Sequence, residues 1–142
     1  MTCGPMFLST ACESANLSDM ADFRKLVVWQ KANKLSVATA EAVEEIKGHA
    51  GSILRRQLLR STFSIQSNIA EGSSKRSDRE FAQYVRIALG SSTESANHLI
   101  LMHDLALLDD ECFKSLEKKH DEVGKMLSGL EKRLSGPEDP SF

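Results

Sequence analysis

Apolar and small residues recur at positions 28, 32, 35, 39, 42 and 46, in steps of three and four that place them on one face of a helix. Asp22 stands where an N-cap is needed and Gly48 where a helix stops, so the spacing predicts a first helix over about 23–47. Ser52 then caps a second helix over about 53–71, with Leu54, Leu58, Leu59, Phe63, Ile65 and Ile69 as its apolar members and Gly72 as its stop. Ser77 followed by Glu80 has the spacing of a capping box. Phe81 opens a third stripe through Tyr84, Ala88, Ser95, Leu99, Met102 and Ala106, predicting a helix over about 78–107. Asp109 or Asp110 caps the last helix, whose apolar positions are 113, 116, 123, 127, 130 and 134. His120 fills the missing place, and Gly136 with Pro137 ends the run.

Four helices of similar length joined by three short connections predict an all-α chain folded as an antiparallel up-down-up-down four-helix bundle. The bundle is expected over 20–135, with a Ser/Thr/Gly/Ala-rich loose tail at 1–19 and a short tail at 136–142; Met20 is a candidate start. The small residues Ala88, Gly90, Ser91, Ser92 and Ser95 imply close approach of another helix, because Gly inside a helix costs about 1 kcal/mol relative to Ala. Leu26–Trp29 and Leu99–Met102 are each four apolar residues in succession. At 100° per residue such runs reach most of the way round a helix, which leaves apolar surface for a subunit interface.

Composition agrees. The chain has 142 residues, of which 17 are Leu and 13 Ala against 17 Val, Ile and Thr together, an inventory that favours helix over strand. All three prolines lie outside residues 6–136, where they cannot interrupt a helix. Cys3, Cys12 and Cys112 are odd in number and widely spaced, so neither a disulfide framework nor a zinc knuckle is expected and a reducing cytoplasm suits them. No stretch approaches the roughly 20 apolar residues of a membrane span, and no basic leader precedes Leu8–Cys12 as a lipoprotein signal requires.

Net charge is −2, but the charge is segregated. Residues 54–89 carry seven Lys and Arg against three acids, whereas 90–110 carry four acids and no Lys or Arg. In an up-down bundle the connection between the second and third helices lies at the end that holds both termini. Lys75, Arg76 and Arg79 are therefore expected beside Arg24, Lys25, Lys132 and Arg133, a cationic end suited to sequence-independent phosphate contacts. Asp22, Glu71, Asp78, Glu80 and Glu131 partly offset it. Arg55, Arg56 and Arg60 form a second candidate cluster toward the opposite end, where the acids at 104, 109, 110 and 111 compete for them. Ser64, Asn68 and Glu71 on one helix and Glu94 on the next are candidates for a structural polar network.

Enzyme readings find little. A di-iron bundle requires two Glu-x-x-His pairs and two further Glu, whereas only Glu117 to His120 has the spacing, and its His occupies a core position. Ser115 to Lys118 matches S-x-x-K without its companion motifs, and no phosphate-binding or dinucleotide-binding glycine loop is present. No catalytic, metal or cofactor site is expected.

Certain residues carry a family resemblance. Phe23–Leu26 with Val28–Ala32, Gln57–Arg60 followed by Ser64-Ile65 and Asn68–Gly72, Ala88–Ser91 with Glu94, and Met126–Leu130 resemble the 23S rRNA intervening-sequence proteins over about 23–134. The resemblance implies a four-helix bundle that assembles as a homopentamer. It also relates the chain to the accessory variability protein of diversity-generating retroelements, which offers a basic ring to nucleic acid and a reverse transcriptase. Gln66 departs from the family, whose members commonly have proline there, and implies a straighter second helix. The expected function is a non-catalytic, cytoplasmic homo-oligomer presenting a basic surface to RNA, DNA or a nucleic-acid enzyme, with a structural or protein-binding scaffold as the alternative.

Overall fold

A computed structural model describes residues 22–137; the tail expected at 1–19, with Cys3 and Cys12, Met20, and all but the first two residues of the tail expected at 136–142 lie outside them. A short 3₁₀ turn, Phe23–Lys25, leads into α1 (Val27–Val43), α2 (His49–Ser73), α3 (Asp78–Asp104) and α4 (Asp110–Ser135). No strand occurs among the described residues.

Helices that follow one another in sequence pack side by side, and α4 closes the square against α1. Cross-helix pairs fix the directions. Between α2 and α3, Gly72 faces Tyr84, Ser64 meets Ser91 and Arg60 meets Glu94, so one index falls as the other rises. Arg86 meets Glu131, Ser95 meets His120 and His103 meets Asp110 in the same antiparallel sense between α3 and α4. Arg55 of α2 reaches the Glu44 and Ile46 carbonyls at the end of α1, and Lys31 pairs with Glu122 of α4.

The caps explain most boundaries. Asp22 accepts from the Arg24 amide, but it caps only the 3₁₀ turn; Leu26 is extended, so α1 begins at Val27 rather than at 23. It also ends early, at Val43, and Gly48 with φ +87° starts α2 instead of stopping α1. Ser52 therefore lies within α2. Ser77 caps α3 by accepting from the Glu80 amide, and Asp109 caps α4 by accepting from the Cys112 amide, both as expected. α2 runs without a break through Gln66.

Two glycines depart from the roles expected of them. Gly72 is not a stop but a buried helical position, where an added Cβ would lie 2.6 Å from Tyr84 Cβ and 2.7 Å from Phe81 Cδ2. Gly90, expected at a close approach, faces open space. The tight crossing of α2 and α3 therefore lies near their shared loop. Farther along, the Ser91 and Ser95 hydroxyls of the small-residue run bond Ser64 and Thr62 of α2, and Ala88 packs in the same core half as Ile65 and Ile69.

The core has two apolar halves. One holds Val28, Ala32, Leu35, Ile65, Ile69, Val85, Ala88, Val123 and Leu127; the other holds Val43, Leu54, Leu58, Leu99, Met102, Leu108 and Leu116. Between them lies a buried polar layer of Ser36, Thr39, Ser61, Thr62, Ser92, Ser95 and His120. Thr39 satisfies its hydroxyl on the Leu35 carbonyl at 2.7 Å, and Thr62, Ser95 and His120 bond one another across three helices.

Candidate nucleic-acid interface

Three surface hollows at one end are lined by five of the expected cations, Lys25, Lys75, Arg76, Arg79 and Arg133. The first joins Asp22, Phe23 and Leu26 to Lys75, Arg76 and the start of α3. Another joins Lys25 and Val27 to Arg133 and Leu130, and a third places Arg79 and Arg86 beside Leu134 and Ser135. Short loops produce this meeting, because they return α2 and α4 to the end where α1 and α3 begin. The half of the bundle at this end, residues 22–34, 64–90 and 122–137, holds eleven Lys and Arg against six Asp and Glu. The other half, 35–63 and 91–121, holds seven against ten. The charge asymmetry thus runs along the bundle axis.

Individual cations differ in what holds them. Arg24 is paired with Asp22, whose carboxyl is lowered by that side-chain hydrogen bond. The Lys75 ammonium sits 5.1 Å from the centre of the Tyr84 ring, and the Tyr84 hydroxyl donates to Glu71. Arg76, Arg79, Lys132 and Arg133 are exposed, with no ion pair to any described residue. They form the accessible part of the cluster. Arg86, outside the expected set, is engaged with Glu131, which accepts from Ser135 and Arg86 and is lowered in consequence.

The second cluster is largely occupied inside the protein. Arg55 donates to the Glu44 and Ile46 carbonyls, covering the C-terminal end of α1, and Arg60 pairs with Glu94 at 2.9 Å. Arg56 alone is exposed without such a partner among the described residues. Of the acids expected to compete for these arginines, Asp109 caps α4 and Asp110 pairs with His103, which stacks on Phe113 at 4.2 Å.

The four polar candidates are divided among separate contacts. Asn68 donates to the Ser64 carbonyl and hydroxyl, and Ser64 meets Ser91, linking α2 to α3. Glu71 instead accepts from Tyr84, and Glu94 from Arg60. The partners Ser91 and Tyr84 of α3, and Arg60 of α2, were not part of the expected network; they follow from the packing of α3 against α2.

Little else offers chemistry. No group of three or more His, Cys, Asp or Glu able to hold a metal occurs among the described residues. Burial pushes the Cys112 thiol up, away from the reactive thiolate. His120 is 4% exposed and burial pushes it down to about 4, so it is neutral in the core. No helix among the described residues is long and apolar enough to cross a membrane.

The molecule is therefore an all-α four-helix bundle with one cationic end. It belongs to the 23S rRNA-intervening sequence protein family, whose model matches residues 24–129. A crystal structure of a protein of unknown function from the S23 ribosomal protein family of Bacteroides thetaiotaomicron is similar to it, with 27% identity and a TM-score of 0.69 over 75% of this chain and 99% of that one. No curated protein matches the chain.

Proposed function

We propose that this protein is a non-catalytic, self-associating adaptor whose cationic end holds the phosphate backbone of a nucleic acid, delivering it to or sharing it with a nucleic-acid enzyme such as a reverse transcriptase. The observation that carries the reading is the convergence at one end of Arg24 and Lys25 of the 3₁₀ turn, Lys75 and Arg76 of the α2–α3 connection, Arg79 of α3, and Lys132 and Arg133 of α4. Exposed cations without base-reading geometry make affinity depend on charge and salt rather than on sequence. Of the second cluster, Arg56 is exposed with no ion pair to a described residue, and it would offer a separate contact in the opposite half of the bundle.

Self-association is supported by apolar side chains that one bundle leaves in water. From the two runs of four, Val27, Ile100 and Leu101 remain 56%, 49% and 41% exposed. An assembly would repeat the cationic end about its axis and multiply weak phosphate contacts.

Fluorescence anisotropy with labelled single-stranded RNA, duplex RNA and duplex DNA at several salt concentrations tests the reading. Binding at low salt should weaken linearly in log–log form, with a slope of about −0.9 per phosphate contacted on a duplex. The triple variant Lys75→Glu, Arg76→Glu, Arg79→Glu should abolish it. Absence of binding at low salt, or an unaffected triple variant, would leave a scaffold without nucleic-acid affinity.

A further inference from the structure

A hollow of about 250 Å³ lies at the cationic end, where the 3₁₀ turn meets the connection between α2 and α3. Phe23, Leu26 and Phe81 give it apolar walls, and Lys75, Arg76, Asp22 and Asp78 line it with charge. Leu26 and Phe81 are half-buried against the core half that contains Ile69 and Val85, which holds their side of the hollow in place. Phe23 belongs to neither core half, and its ring meets Trp29 edge-on at 5.0 Å between centres. Pockets for drug-sized ligands span about 300–1,000 Å³, so this one suits a single planar ring system better than a whole nucleotide.

The charges on the walls decide what enters. The Asp22 carboxylate already accepts from the Arg24 amide and guanidinium. Asp78 is exposed and forms no ion pair with a described residue. Two carboxylates disfavour a phosphate inside the hollow, and Asp78 with Glu80 already supplies the negative charge that the first turn of α3 attracts. A free carboxylate instead accepts an N–H, and the pairing edge of every nucleobase carries one or more. In a duplex that edge is bonded to the opposite strand and both faces are stacked. Only an unpaired base presents edge and face together.

Cations flank this acid along the chain. Arg76 precedes it by two residues and Arg79 follows it directly, both exposed and without an ion pair to a described residue. The Lys75 ammonium is held 5.1 Å from the centre of the Tyr84 ring. Arg76 and Arg79 are thus left for the phosphates that a base in the hollow would keep outside it.

We infer that this hollow receives one unpaired base of a single-stranded nucleic acid, its face against Phe23 and Phe81 and its edge donating to Asp78, while Arg76 and Arg79 hold the flanking phosphates. The inference rests on the proposal that the cationic end binds nucleic acid. It assigns the class of strand: single strands, loops and frayed ends over intact duplex. Every base has a π-face, so the preference is for strandedness and not for sequence.

Fluorescence anisotropy at low salt tests this with three labelled probes of one length: a single-stranded DNA, the same strand made abasic throughout, and the duplex. The abasic strand keeps every phosphate and loses every ring. Wild type should bind the intact strand about five-fold or more tighter than the abasic one, as one stacked base implies. Phe23→Ala should remove that advantage and leave duplex affinity unchanged, and Phe23→Tyr should retain it, with circular dichroism establishing that each variant is folded. Equal wild-type affinity for intact and abasic strands, or an advantage that survives Phe23→Ala, overturns the inference and leaves phosphate binding standing. Equal weakening of all three probes by Phe23→Ala also overturns it, because the residue then shapes the cationic end instead of holding a base. Wild type that binds none of the probes at low salt overturns both.

Discussion

The Ser95 hydroxyl of α3 lies 3.0 Å from Nε2 of His120 on α4, at the centre of the layer that separates the two apolar halves of the core. Thr62 of α2 donates to the Ser95 oxygen at 3.2 Å, leaving the Ser95 hydrogen for the neutral imidazole. Three helices are tied at one level, and any sliding of one past another would leave buried polar groups without partners.

This arrangement makes stability depend on pH. In the unfolded chain His120 takes a proton near its ordinary value of 6.5, whereas in the fold it does so only near 4. The unfolded state therefore binds more protons between these values, and the His120 contribution is full above about pH 6.5 and lost as pH falls toward 4. Between pH 7.5 and 5 the loss should be about 2 kcal/mol. Urea unfolding across this window measures it; His120→Leu should show a flatter profile, and an equally steep one would refute the assignment.

Gly72 and Gly90 should respond oppositely to alanine. At Gly72 the new Cβ collides with Tyr84 Cβ and the Phe81 ring, so Gly72→Ala should destabilise by about 1–3 kcal/mol despite alanine's better helix propensity. At Gly90 nothing is near, and Gly90→Ala should stabilise by about 1 kcal/mol. Thermal melts of the two variants decide this, and the same sign of shift in both would contradict the packing described.

Ala106 ends α3 in the left-handed conformation, with φ +57°. Its amide bonds the His103 carbonyl and the Leu107 amide bonds the Met102 carbonyl, the pair of bonds that closes a Schellman motif. Alanine is strained there by about 1 kcal/mol. Ala106→Gly should raise the denaturation midpoint accordingly, and a neutral or lower midpoint would count against the turn geometry.

The four helices and the N-caps of α3 and α4 were legible because they depend on neighbours in sequence. Ser77 and Asp109 cap α3 and α4 through amides three residues away, and the three-and-four spacing marks the buried faces. Short connections likewise fixed which cations share an end. Other features needed the third dimension. Phe63 reads as core in the sequence, but the rotation of α2 against α1 leaves it in solvent. Gly72 reads as a stop, but the approach of Tyr84 and Phe81 makes it a contact point. Arg55 and Arg60 read as surface charge, but carbonyls of α1 and the Glu94 carboxylate claim them.

The amino-acid order by itself determined four amphipathic helices, their antiparallel succession and the gathering of basic residues at one end, since periodicity, capping and loop length act over a few residues. Only the tertiary structure decided which glycine is crowded, which arginines stay free and which apolar side chains remain uncovered. Those outcomes depend on the rotation and height of each helix against partners distant in sequence, and that is set by the fit of side chains across the whole bundle.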